Sequence, residues 1–356
     1  MLIKKIKSLL RIKKNRDKLK RYFMKNKPLF LVLSTPNHGN IGDQAIAYAQ
    51  KKFLRAQFPE IDYFELTSKD TVLNIDFIEK HISKKTIVFI HGGGNQGNLY
   101  PEEERIRQTI INKLIHNSII SFPQSFFIEQ NNCSDKFLNA MKECYTKHMS
   151  LTLTARESFS YDLMQNNFSR VNVIESPDIV LWLSNVLEFD SQMRSKDILT
   201  LIRDDKEKFI DDRDLENLFK FIKKSFGKDI HKSDTQLGAN YIVEVVEREN
   251  LLESFWREIS DYKLIITDRL HGMIFSYITQ TPCIVLKNKN HKIESTYNTW
   301  LKNSDKIFFL EGENYDGNTK LIDFLDNSFN NSLAPNISLD MYDQLSKEIR
   351  NLIYTT

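Results

Sequence analysis

Short, uninterrupted apolar runs alternate with stretches of helical period along almost the whole chain. LFLVL (29–33), TIVFI (86–90), SIIS (118–121), LTLT (151–154), ILTLI (198–202), KLIIT (263–267) and PCIVL (282–286) are continuous in hydrophobicity. A strand that reads this way is buried on both faces, as in a parallel sheet covered by helices. IDYFEL (61–66) is a further strand, and VNVIESPDIVLWL (171–183) closes the first series. Between them, residues 45–58 place Ala45, Tyr48, Ala49 and Phe53 on one helical face. Residues 75–82, 103–115, 134–148, 160–167, 214–225, 292–301 and 339–353 also carry a helical period. YIVEVV (241–246) fits neither period cleanly, and helix resumes by Glu249. Strands alternating with helices in both halves predict an α/β chain with two Rossmann-like domains, 28–190 and 191–330. A C-terminal helix within 331–356 is expected to cross back to the first domain.

The residues that interrupt this pattern sit where the apolar runs stop. NHGNIGD (37–43) follows the first run and HGGGNQGN (91–98) the third. FPQS (122–125), ARES (155–158), RDD (203–205) and DRLHG (268–272) follow others. Ligands of open α/β sheets gather beyond the carboxyl ends of strands. Glycine lets backbone come close to a ligand, and a helix start offers free N–H groups to an anion. The chain has 11 glycines, and four lie within residues 91–100, so this stretch stands out from a glycine-poor background. Arg156, Arg203 and Arg269 each follow a strand closely; each either pairs with a nearby acid or, jointly, they bind an anion. His271, three residues after Asp268, lies near a helix start. No metal-type motif stands at a strand end, and no obligatory metal is expected.

Charge changes the picture at one end only. The net charge is +3, but residues 1–27 hold twelve Lys/Arg and a single acid, Asp17. That segment carries +11 and the remainder −8. A mildly acidic body excludes general nucleic-acid binding. In the basic arm, 1–27, Leu2, Ile3, Ile6, Leu9 and Leu10 recur at helical spacing among lysines, a pattern suited to an anionic membrane surface or to packing on the body. No spanning helix or secretory signal is expected, and three cysteines without metal spacing suit a reduced, cytoplasmic compartment.

Taken in order, GNIGDQAI, HGGGNQGNLY, FPQS, ARES, PDIVL and TDRLHGMIFSYITQTPCIVL resemble the polysaccharide pyruvyl transferase family from about Phe30 to Trp300. The resemblance implies a GT-B-like fold, with two Rossmann-like domains facing a cleft. It implies transfer of a pyruvyl group from phosphoenolpyruvate, a co-substrate and the only small molecule required, to a sugar as a ketal. The acceptor would be a cell-surface polysaccharide precursor (exopolysaccharide or capsule), often lipid-linked, met in the cytoplasm or on the inner face of the plasma membrane. Under it, Arg156, Arg203 and Arg269 take the phosphate and carboxylate of the donor. His271 is the first choice for acid–base chemistry, with Glu157 and Asp268 as alternatives. Asn40, Asp43, His91, Gly93, Gly94, Asn95, Asn98 and Gln124 would contact donor or acceptor.

Two other readings share parts of this pattern. A GT-B-type glycosyltransferase using a nucleotide sugar would use the same glycine stretches and arginines. A membrane-docked scaffold of polysaccharide assembly would need the basic arm but leaves six polar strand ends without a role.

Overall fold

The computed structural model describes residues 2–189, 194–205, 207–238, 240–312, 315, 317–336 and 341–355. The chain forms two compact units. The first comprises Met1–Asn37, Ile46–Ile179 and Met341–Thr356; the second comprises His38–Ala45 and Val180–Asp340. Residues 190 and 191, where the hydropathy pattern puts the boundary, lie outside the described residues. His38–Ala45, within the first half of the sequence, belong to the second unit.

The first unit is built on eight strands: β1 (Leu29–Thr35), β2 (Asp62–Thr67), β3 (Thr86–Ile90), β4 (Gly93–Gly97), β5 (Ile119–Ser121), β6 (Gln124–Phe127), β7 (Leu151–Ala155) and β8 (Asn172–Glu175). All pair in parallel, in the order β2-β1-β3-β5-β7-β6-β4, with β8 on β7. Every residue of β1, β3 and β7 is buried, which is why their sequences are continuous apolar runs. Helix Asp343–Thr355 belongs to this unit, with Leu345 and Ile349 buried and Glu348 Oε1 accepting from Thr152 Oγ1 at 2.7 Å.

The basic segment is a helix, Leu2–Met24, and it is not a detached arm. Leu19 and Phe23 enter the core of the first unit. Arg11 Nε donates to Asp70 Oδ2 at 2.9 Å, on helix Ser68–His81. Burying two such side chains stabilises the unit by roughly 1.5–3 kcal/mol each. Leu9 and Leu10 stay outside, 58 % and 61 % exposed. The side chains of Leu2, Ile3 and Ile6 lie outside the described ones. Among the described residues, no helix is long and apolar enough to cross a membrane.

The second unit carries β9 (Lys196–Leu201), β10 (Ile230–Ser233), β11 (Tyr262–Thr267), β12 (Cys283–Leu286) and β13 (Ile307–Leu310). These are parallel throughout, in the order β10-β9-β11-β12-β13. Helix Asp212–Phe226 starts at the N-cap Asp211, whose side chain accepts from Asp214 N, and stops at Gly227 in the left-handed region.

HGGGNQGN differs from its expectation as a loop. Its centre is β4, a strand that pairs with β6. The ladder runs on from the main sheet: His91 N donates to Leu33 O at 3.1 Å, Phe122 N to Ile90 O at 3.0 Å and Gly93 N to Pro123 O at 3.0 Å. Likewise SIISFPQS is two strands, β5 and β6, stepped at Phe122–Pro123. The glycines answer a packing demand. A Cβ on Gly92 would lie 2.8 Å from Pro123 O, and one on Gly97 would overlap Phe127 O, at a φ of +121°. Gly97→Ala is expected to cost more than about 3 kcal/mol, because a backbone clash adds to a strain of about 1–2 kcal/mol. Gly227→Ala, with φ +62° and open space around it, should cost only about 1 kcal/mol. Denaturant midpoints of both variants check this, and equal losses would remove the close-approach explanation.

Candidate functional site

Three neighbouring strands of the second unit, β10, β9 and β11, bring charged residues to their C-terminal ends. Arg203 N donates to Asp268 Oδ1 at 2.8 Å. The Arg203 guanidinium reaches Asp205 at 2.8 and 3.1 Å and Glu207 at 2.8 Å. Arg269 is held by Asp234 at 2.7 and 2.9 Å, with Asp205 at 3.9 Å. Asp268 is fully buried, and its Oδ2 has no hydrogen-bond partner. Burial pushes its carboxyl up to about 6, against the opposing pull of the Arg203 backbone N–H and of both arginines. Loss of hydration therefore outweighs two nearby cations.

Beside this cluster two helix starts touch. Gly42 is the second residue of helix Ile41–Gln57, and His271 the second residue of helix Leu270–Ile278. A Cβ on Gly42 would lie 2.6 Å from His271 Cγ and closer still to Nδ1, so the imidazole occupies the space left by the missing side chain. Asn40 caps the first helix, its Oδ1 accepting from Asp43 N at 3.1 Å. Ile41 N donates to Thr235 O at 2.8 Å and Leu237 N to Gly39 O at 2.9 Å, so residues 235–237 clasp this turn. Gln44 Oε1 accepts from Arg248 Nε at 2.9 Å and secures it from the next turn. Gly272 has a matching role at the second helix: a Cβ there would lie 2.9 Å from Thr267 Cβ. Ile41 N and Asp43 N are already used, by Thr235 O and Asn40 Oδ1, so the first helix start contributes mainly its partial positive charge where it touches the second.

The structure thus gathers Asn40, Asp43, Arg203, Asp268, Arg269 and His271 in the second unit, and places the other sequence-selected residues in the first. There, Arg156 is 2 % exposed, with Asp178 at 2.8 Å, Glu157 at 3.5 Å and Ser125 Oγ at 2.6 Å. Glu157 is fully buried and accepts from Ser125 Oγ at 2.8 Å and from Ser160 Oγ. Arg156 and Glu157 thus share one buried network with Asp178 and Ser125. Asn95 Oδ1 accepts from Arg107 Nη2 at 2.7 Å, and Arg107 pairs with the buried Glu104. Asn98 exchanges two 2.7 Å bonds with the backbone of Glu129. Both asparagines therefore anchor the β4 extension, whose strand includes Gly93 and Gly94. His91 Nδ1 lies 3.1 Å from Gln50 Oε1, and Gln124 Nε2 donates to His91 O. Gln124 Oε1 is buried without a partner.

Gly42, Asp234 and Glu207 escaped sequence reasoning. Gly42 stood inside a selected stretch, but nothing local shows that a histidine 229 residues later fills its space. Asp234 and Glu207 lie in loops with no motif. Among the described residues, no three His, Cys, Asp or Glu side chains are grouped to hold a metal ion.

Asp268 makes stability depend on pH in a defined direction. At about pH 3 and below it is largely protonated in both folded and unfolded chains. Between about 4 and 6 the unfolded chain ionises first, so stability falls as pH rises. The deficit at pH 7 is about 3 kcal/mol. Asp268→Asn should match the parent protein at about pH 3 and exceed its stability at pH 7. Urea midpoints at the two pH values read the difference, and a constant gap between the proteins would refute it.

Comparison with known proteins draws on this same region. The family model described as Polysaccharide pyruvyl transferase matches residues 40–290, which include Asn40, Gly42, Arg203, Asp268, Arg269 and His271. General stress protein 30 of Bacillus subtilis (strain 168) is 32 % identical over 302 residues, 85 % of this chain and 86 % of that protein. Pyruvyl transferase 1 of Schizosaccharomyces pombe is 28 % identical over 308 residues, 79 % of this chain and 72 % of that protein. The crystal structure of a functionally uncharacterized protein from Klebsiella pneumoniae matches with a TM-score of 0.56 at 20 % identity, covering 85 % of this chain and 99 % of that one. At that identity the likeness bears on fold alone. The fold, a parallel Rossmann-like sheet in each unit, is GT-B-like. With a family match over most of its length and a 32 % identical relative covering 85 % of it, the chain belongs to the polysaccharide pyruvyl transferase family.

Proposed function

We propose that this family member moves the pyruvyl group of phosphoenolpyruvate onto a sugar of a cell-surface polysaccharide precursor, closing it as a ketal. The observation that carries the reading is the contact of two helix starts at Gly42 and His271, next to Asp268, Arg269 and Arg203. Phosphoenolpyruvate is a small polyanion, and Arg203 and Arg269 beside a helix start offer it cationic donors once exposed carboxylate partners are displaced. Both arginines are already paired: Asp205 and Asp234 are 45 % and 37 % exposed, while Glu207, the second partner of Arg203, is 14 % exposed. Pairs with exposed carboxylates contribute little, so a ligand carboxylate or phosphate replaces Asp205 and Asp234 at small cost while the Arg203–Glu207 pair stays.

In this reading His271 delivers a proton to the methylene carbon of the donor, which makes the adjacent carbon electrophilic. A sugar hydroxyl attacks that carbon and gives its proton to Asp268; phosphate leaves with its bonding electron pair and takes that proton; a second hydroxyl closes the ketal and returns its proton to His271. Asp268, raised to about 6, holds a proton nearer to neutral pH than an ordinary carboxyl and is the second acid–base group. Arg203 and Arg269 stabilise the departing phosphate. Arg156 and Glu157 take no part, because their buried network in the first unit already uses them.

The acceptor is lipid-linked in this proposal, and helix Leu2–Met24 brings the enzyme to it at the cytoplasmic leaflet. Leu9 and Leu10 project beside exposed Lys13 and Lys14, while the later part of the helix is anchored by Leu19 and Phe23. Each basic residue near an anionic surface contributes about 1 kcal/mol.

Calorimetry with phosphoenolpyruvate, and with UDP- and GDP-sugars in parallel, tests the donor. Saturable phosphoenolpyruvate binding that Arg269→Ala abolishes is expected; binding of a nucleotide sugar in its place overturns the reading in favour of a glycosyltransferase. His271→Ala should lower turnover at least about 100-fold. Gly42→Ala, which displaces the ring without removing it, should cost up to about 100-fold. Undiminished turnover in His271→Ala removes the acid–base role. For the membrane, co-sedimentation with phosphatidylglycerol vesicles should be lost in the Leu9→Ser/Leu10→Ser double variant and at high salt, and would argue against docking if it persisted in both.

A further inference from the structure

A second recess lies on the same edge of the second unit's sheet, at the C-terminal ends of β12 and β13. It has a volume of about 440 Å³ and is closed on one side by Phe209 and Asp211, from the long loop after β9. Glu207 ties that loop down: its backbone carbonyl accepts from Lys289 N at 3.2 Å, and its carboxylate from Asn290 Nδ2 at 2.9 Å. The same Glu207 pairs with Arg203 at 2.8 Å, so one residue joins the wall of the recess to the arginine cluster.

The lining combines aromatic rings with acids. Phe309 is backed by Tyr297, with ring centroids 5.3 Å apart, and Tyr315 donates to Asp214 O at 3.3 Å. Phe209 stands at the rim, 58 % exposed. Among the described lining residues there are four carboxylates, including Glu294 and Glu311, and one cation, Lys287, which sits 3.6 Å from Glu294. This charge balance repels phosphates, nucleotides and other anions. Carboxylates accept hydrogen bonds from hydroxyl or ammonium groups, and aromatic faces pack on the C–H face of a sugar ring.

We propose that this recess is the acceptor subsite, and that it takes an uncharged or amino-bearing saccharide. The proposal rests on the acceptor half of the reaction above. It divides one sheet edge by the groups on offer: the guanidinium groups of Arg203 and Arg269 at β9 and β11 for the anionic donor, aromatic rings and carboxylates at β12 and β13 for the hydroxyl-rich acceptor.

Saturation-transfer NMR on the full chain tests it, with methyl glucopyranoside, methyl galactopyranoside, glucosamine and glucuronic acid as probes. At least one uncharged or amino sugar should bind, and glucuronic acid should not. Phe209→Ser and Glu311→Gln, both at exposed positions, should each weaken that binding about tenfold while calorimetric phosphoenolpyruvate binding stays unchanged. No sugar binding, a preference for glucuronic acid, or unchanged affinity in both variants would overturn the proposal. Sugar binding that both variants weaken, in a protein that ignores phosphoenolpyruvate, would keep the recess and overturn the donor reading instead.

Discussion

A missing Cβ controls both units. In the first, Gly92 and Gly97 let β4 lie against β6, where any side-chain carbon would collide with the Pro123 or Phe127 carbonyl. That contact extends two neighbouring strands beyond the main sheet and satisfies backbone groups that burial would otherwise strand. In the second, Gly42 and Gly272 let the helix starting at Leu270 sit tight against β11 and against the turn 40–43. A chain with 11 glycines uses several of them where only hydrogen fits. At Gly42 the vacated space holds a side chain with acid–base chemistry, His271.

Charge placement follows from that geometry. The strand ends of the second unit carry more acids than arginines, and Asp268 is buried among them with an oxygen unpartnered. Such a group costs stability, and sites that bind or react are where proteins retain such costs. The first unit uses its charges differently. Arg156 with Asp178 and Glu157, and Arg107 with Glu104, are buried pairs enclosed by hydroxyls and amides. Removing one member would leave an uncompensated charge, so these networks hold the sheet end in shape. The two sets of arginines look alike in sequence, but Arg203 and Arg269 each have an exposed acid among their partners, Asp205 and Asp234, and Arg156 has none.

The apolar runs were enough to place most strands of both sheets, because burial on both faces leaves no other composition possible. β4 and β10 escaped for local reasons, and β13, IFFL, escaped although it is as apolar as the runs that were placed. β4, GGNQG, has no β-forming side chains and exists only because β6 is beside it. β10, IHKS, is an edge strand with half-polar character, too short to signal itself. YIVEVV looked like a strand or helix, but Ile242 and Val246 are 61 % and 87 % exposed in a loop that bridges to His38. The basic segment was legible as a helix, but its packing through Leu19 and Phe23 was not, since charge dominates its composition.

What the sequence determined alone was the alternation of buried strands and helices, the arm's charge, and the ordered motifs that place the chain in its family. Those properties are local: each depends on residues within one turn or one strand. Tertiary structure alone decided which selected residues meet. It moved His38–Ala45 into the second unit, set Gly42 against His271, and gave Arg203 and Arg269 each an exposed acid while enclosing Arg156. Contacts between residues more than two hundred positions apart leave no periodic trace, because they depend on sheet order and on the space a neighbour leaves empty.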